Sequence, residues 1–120
     1  MREPEHNHQV ALFTWASTIR ELQLMHAVPN GGYRHIRVAS KMKKEGVKAG
    51  VPDIFLPVSK GGYHGMFIEM KVPKTATTIK TYPNKTQKAW LSELNKNGYH
   101  AVIAWGYSDA RDKISEYLAL

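Results

Sequence analysis

The chain has 120 residues, which suits one domain able to bury its own core. It has no cysteine, which excludes a disulfide framework and a cysteine-based zinc site. No apolar run approaches the roughly 20 residues that cross a bilayer, and the polar start MREPEHNHQ lacks a signal-peptide core. The expected location is therefore the cytoplasm, with no membrane partner. With 17 Lys+Arg against 10 Asp+Glu, the net charge is +7. A basic surface steers polyanions toward it, which raises nucleic acid among the partner classes without deciding for it.

Pro4 suits the first turn of a helix, and Glu5, Gln9, Leu12, Phe13, Ala16 and Ile19 recur at helical spacing. The pattern predicts a helix to about Met25, ending before Pro29. Asn30-Gly31-Gly32 is a turn signal. Alternation from Tyr33 to Ala39 predicts a strand, and Ser40 to Glu45 a short helical turn stopped by Gly46. Val51–Val58 and Met66–Val72 read as two further strands, parted by Gly61-Gly62 and closed by Pro73.

Residues 73 to 85 read as a polar, basic loop. A second helix is expected from Asn84 or Thr86 to Asn97-Gly98, carrying Trp90, Leu91 and Leu94. Tyr99–Trp105 is an apolar strand. Ser108 is the expected cap of a last helix that buries Ala110, Ile114, Tyr117 and Leu118. The order α-β-β-β-α-β-α points to an α/β fold, a mixed sheet flanked by helices, in a single domain over 1–120.

The chemistry lies on the second and third strands. A hairpin centred on Gly61 sets Asp53 across from Glu69, Ile54 from Ile68 and Leu56 from Met66. Apolar pairs then share one face and the acids the other, and a slip of one residue would mix them. Opposed Cβ atoms lie about 4.5–5.5 Å apart, so the two carboxylates can share a cation. Lys71 leaves the same face as Glu69, two residues on, while Met70 points inward and leaves its backbone carbonyl as a further ligand. Hard oxygen donors favour Mg²⁺ or Mn²⁺ over zinc.

Glu-x-Lys on a strand is common, and by itself marks a solvated face more often than a site. The opposed Pro-Asp changes the odds. Two carboxylates 4 Å apart repel by about 4 kcal/mol at an effective dielectric of 20, unless a cation lies between them. A metal there would activate water against a phosphodiester, and Lys71 would stabilise hydroxide or the charge growing on phosphorus.

The string Gly46-Val47-Lys48-Ala49-Gly50-Val51-Pro52-Asp53-Ile54-Phe55-Leu56-Pro57, followed by Tyr63-His64-Gly65-Met66-Phe67-Ile68-Glu69-Met70-Lys71, closely resembles the VRR-NUC family of the PD-(D/E)xK nuclease superfamily. Pro29-Asn30-Gly31-Gly32, Gln87 and Gly98-Tyr99 extend the likeness over nearly the whole chain. It looks like the short stand-alone form of phages and bacteria. The resemblance implies an α-β-β-β-α-β nuclease core and Mg²⁺- or Mn²⁺-dependent DNA cleavage. Stand-alone members resemble Holliday-junction resolvases, acting as homodimers on branched DNA.

Asp53, Glu69 and Lys71 match the family's catalytic triad, Glu5 its first-helix acid and Gln87 its glutamine after the triad. Glu5 also lies at the start of the inward helical stripe, within reach of a metal; a solvent-exposed acid at a helix start is the alternative. Gln87 shares a face with Trp90, Leu91 and Leu94. It can orient a water or phosphate, or cap its own helix.

Lys41, Lys43, Lys44 and Lys48 precede Asp53, and Lys74, Lys80, Lys85 and Lys88 follow Lys71. With Arg34 and Arg37 they are candidate phosphate contacts, which position DNA without reading its sequence. Tyr82 is a candidate for stacking on an unpaired base. His6-Asn7-His8 spells a nuclease motif that requires a dispersed ββα unit, so it carries no weight here. The other readings are a DNA-binding module without catalysis, a nuclease for plain duplex, single-stranded DNA or RNA, and a basic domain with a chance motif.

Overall fold

The computed structural model describes residues 4–29 and 36–120. Helix α1 runs Pro4–Ala16, shorter than the periodicity suggests. The Ser17 and Thr18 hydroxyls donate to the Thr14 and Trp15 carbonyls at 2.7 Å and 2.7 Å, satisfying groups that another helical turn would have used. A short 3-10 turn, Arg20–Leu22, follows in place of continued helix.

The first strand is β1, His26–Ala27. The strand expected at Tyr33–Ala39 is corrected from Ile36 onward: helix α2 spans Ile36–Lys44 and absorbs the short helical turn expected after it. Tyr33–His35 and Asn30-Gly31-Gly32 lie outside the described residues. In α2, Arg37, Lys41 and Lys44 follow an i, i+4, i+7 stripe, a helical rather than a strand period.

The central hairpin pairs β2, Ile54–Leu56, with β3, Met66–Lys71. The register is Ile54↔Ile68, Phe55↔Phe67 and Leu56↔Met66, as the apolar alternation requires. Strand β2 is shorter than Val51–Val58, because the Val58 N–H turns back onto the Leu56 carbonyl at 2.9 Å. Helix α3, Lys85–Lys96, crosses over to β4, His100–Trp105, which runs parallel to β3. The sheet order is β1-β2-β3-β4, a mixed sheet.

Helix α4, Gly106–Leu118, begins two residues before the expected Ser108 cap. Asp109 Oδ2 accepts the Trp105 N–H at 2.8 Å, and His8 Nδ1 accepts the Tyr107 N–H at 2.9 Å. Two side chains other than Ser108 therefore hold this helix start. One of them comes from α1 and fixes the two helices against each other.

Strand alternation sends Ile54, Leu56, Met66, Ile68, Met70 and Ala104 to one face, all fully buried. Leu12 and Ala16 of α1 and Ala110, Ile114 and Tyr117 of α4 close that core. Helix α3 packs on β4 from the other side, where Leu91 and Ala101 are buried outside the main cluster.

Candidate active site

One residue before β2, the backbone ladder between the hairpin strands gives way to a side chain. Asp53 Oδ2 accepts the Met70 N–H at 2.8 Å. The Asp53 carbonyl still takes the Val28 N–H at 2.8 Å, so the residue is held from both sides. The paired register ends at Ile54↔Ile68, one residue short of the Asp53 and Glu69 positions that the sequence reading set across from each other. The Asp53 carboxylate enters where β2 and β3 part, beside the Glu69–Lys71 segment.

Glu69 lies in the middle of β3 and is 1 % exposed. Lys71 Nζ approaches its Oε2 at 3.3 Å. This is an ion pair without good donor alignment, and neither Glu69 oxygen has a hydrogen-bond partner among the described residues. A buried carboxylate without directed donors is costly, because no protein group replaces its lost water. Burial and then the Asp53 charge push the Glu69 carboxyl up to about 8, against the pull of Lys71.

The first turn of α1 brings Glu5 to the same place. Burial raises its pKa first, the Asp53 charge raises it further, and Lys71 opposes both. Glu5 in turn raises that of Glu69. Three acids and one lysine, from α1, the start of β2 and β3, therefore share one electrostatic site. Among the described residues, no three His, Asp or Glu side chains are gathered into a ready-made metal cluster. The donor chemistry nevertheless fits a hard divalent cation. The oxygens are hard, both oxygens of Glu69 are buried without a hydrogen-bond partner, and the carboxyls of Glu5 and Glu69 are both shifted toward the neutral form.

Gln87 forms a capping box with Asn84. Its Oε1 accepts the Asn84 N–H at 2.8 Å, and Asn84 Oδ1 accepts the Gln87 N–H at 2.9 Å. The box starts α3, and it occupies the oxygen of Gln87 while its Nε2 makes no hydrogen bond among the described residues.

The basic residues divide into groups. Lys85 and Lys88 are exposed on the first turn of α3. Lys80 Nζ sits 4.4 Å from the Trp105 ring centroid and 5.4 Å from that of Tyr82, and Lys74 is exposed on the same loop. Arg37 and Lys44, with Ser40 and Lys41, line an open pocket on α2. Lys48 is exposed in the loop leading to Asp53, and Arg34 lies outside the described residues.

Trp105 was not foreseen as a contributor. The parallel register sets it beside Lys71. Its indole N–H donates to the Thr81 carbonyl at 2.8 Å, pinning the basic loop next to the site. Only the β3–β4 pairing shows this, and no local motif encodes that pairing.

The sheet order, the crossover α3 and the acids grouped around β3 define a PD-(D/E)xK-like nuclease core. A VRR-NUC domain matches residues 2–107, and the chain belongs to that family of nucleases. Among solved structures it is similar to a VRR-NUC domain protein, with 29% identity and a TM-score of 0.81, over 100% of this chain and 92% of that one. No curated protein matches it. Among the described residues, no helix is long and apolar enough to cross a membrane.

Proposed function

We propose that this chain is a single nuclease domain, and that it is a divalent-metal-dependent DNA endonuclease. The observation that carries this reading is Glu69, a buried carboxylate with no hydrogen-bond partner for either oxygen, paired to Lys71 and grouped electrostatically with Asp53 and Glu5. Asp53 and Glu69 would hold Mg²⁺ or Mn²⁺, with Glu5 and the Met70 carbonyl as further oxygen donors. The bound cation supplies Lewis acidity and lowers the pKa of water.

The chain's own residues do the rest. The Met70 N–H fixes Asp53 in one orientation. Lys71, paired to Glu69, is a cation beside the site, placed to offset charge that grows on a phosphoryl group. Gln87 Nε2 is offered to a phosphate or water from the start of α3. Lys74, Lys80, Lys85 and Lys88, with Arg34, Arg37, Lys44 and Lys48, neutralise the DNA backbone.

The family likeness supports branched DNA as substrate, in the manner of a Holliday-junction resolvase, and a homodimer carrying two sites to two strands. It also supports action in the cytoplasm of a bacterial cell or phage host.

The test is a panel of four-way junction, flap, duplex and single-stranded DNA with Mg²⁺ or Mn²⁺, and Lys71→Ala as control. Paired nicks across the junction, absent in Lys71→Ala, support the reading. A protein that binds these substrates and cuts none is a binding module, and cleavage that survives in Lys71→Ala refutes the mechanism.

A further inference from the structure

Residues 73–83 run from the end of the Lys71 strand to the start of α3. A basic linker with no further role would be loosely held and polar at its tip, yet this one is braced along its length. The Val72 N–H donates to Thr81 Oγ1 at 2.8 Å, and the Thr81 N–H to the Val72 carbonyl at 3.0 Å. The Thr78 hydroxyl donates to the Pro73 carbonyl at 2.7 Å, and the Thr78 N–H to Thr75 Oγ1 at 3.1 Å. Trp105 clamps the Thr81 carbonyl from β4.

The braced loop presents apolar surface to water. Ile79 is 86% exposed and Tyr82 is 64% exposed. One exposed isoleucine is ordinary on a protein surface. Here it lies between the Thr75–Thr78 turn and Thr81, in a braced loop that starts beside Lys71. The segment itself carries charge of one sign: from Val72 to Ser92 there is no Asp or Glu, while Lys74, Lys80, Lys85 and Lys88 are present. Such a collar complements the dense, regular charge of a phosphate backbone and disfavours a basic or membrane-buried partner, which would repel the lysines or have to desolvate them.

We propose that this loop is a DNA wedge, with Ile79 as the side chain that enters a base step where stacking is already interrupted. The proposal rests on the nuclease reading above and deepens it to a specificity element. Inserting an apolar side chain costs unstacking of a few kcal/mol per step in continuous duplex, and less where a branch has broken the stack. The loop thereby favours branch points, and it holds them beside Lys71 while the flanking lysines grip the backbone. Tyr82, edge-on to Trp105 at 6.0 Å between centroids, supplies an aromatic face next to the opened step.

The experiment places 2-aminopurine at the branch point of a four-way junction and reads its fluorescence with full-length protein in the Lys71→Ala background. In parallel, cleavage of junction and plain duplex is measured with Lys71 intact. Fluorescence should rise on binding. Ile79→Ser should abolish most of the rise and lower the junction-over-duplex rate ratio by about tenfold, and Ile79→Leu should restore both.

Equal fluorescence and equal ratios in Ile79→Ser and the parent would overturn the wedge while leaving the nuclease reading intact. Conversion of a dimer to a monomer by Ile79→Ser would also overturn it, since Ile79 would then be an interface residue. A wild-type protein that cuts no DNA with either metal would refute the nuclease reading, and the fluorescence of Ile79→Ser against its parent would still decide the wedge.

Discussion

Asp53 takes the Met70 N–H at 2.8 Å, so the same carboxylate completes the sheet and faces the acids of the site. The two roles separate by substitution. Asp53→Asn keeps an acceptor for Met70 and removes the charge. Asp53→Ala strands a backbone donor, which costs about 1–3 kcal/mol. Chemical denaturation should show Asn near the wild type and Ala clearly weaker, with both inactive as nucleases. Equal stability of the two variants would show that the hydrogen bond contributes nothing.

Glu69 titrates at about 8 in the folded chain against an ordinary 4.5. Between those values the native state keeps a proton that the unfolded chain has released, so stability is full below the lower value and falls as pH rises toward 8. Glu5 is shifted in the same direction. Metal-free urea unfolding at pH 5 and pH 8 should show the loss, and Glu69→Gln should flatten it. Adding Mn²⁺ at pH 8 should raise the melting temperature by several degrees, on the order expected for about 1 kcal/mol. The opposite pH slope, or no response to Glu69→Gln, would place the proton elsewhere.

Gln87 closes the Asn84 capping box through Oε1. Gln87→Ala should therefore lose about 1 kcal/mol of stability whatever its part in cleavage. Gln87→Glu keeps the accepting oxygen and the cap, but replaces the amide donor with a negative charge. Wild-type stability with a cleavage rate lowered tenfold or more would assign Nε2 to the substrate. Unchanged cleavage would make Gln87 a cap alone.

Lys85 and Lys88 stand exposed where α3 begins. If both neutralise phosphates, the double alanine variant should lower the slope of log affinity against log salt by about 1.8 in magnitude. A slope unchanged from the wild type would take them off the DNA path.

The site and the hairpin were legible in the sequence for a physical reason. Ile54, Leu56, Met66 and Ile68 must all reach one core, and only one register allows it. That register carried Asp53 to the right end of the hairpin. It did not reveal that the strands part there and that Met70 draws the carboxylate in. The segment from Ile36 was misread because two apolar residues alternating with basic ones fit a strand over a few positions. Lys41 and Lys44, which follow Arg37 at i+4 and i+7, fit a helix better. The first strand, His26–Ala27, is two residues long, too short to leave a periodic trace. The cap of α4 was misplaced because one partner, His8, lies 99 residues away in sequence.

The central claim is that Asp53, Glu69 and Lys71 form one metal-dependent cleavage site. Single-turnover cleavage of a four-way junction at saturating protein, titrated with Mn²⁺ from EDTA upward, tests it most directly. The account predicts no cleavage in EDTA and a rate that saturates with metal. Asp53→Asn and Lys71→Ala should each cost a hundredfold or more, on the order of removing one key charge-stabilising group. Metal-independent cleavage, or full rates in either variant, would contradict it.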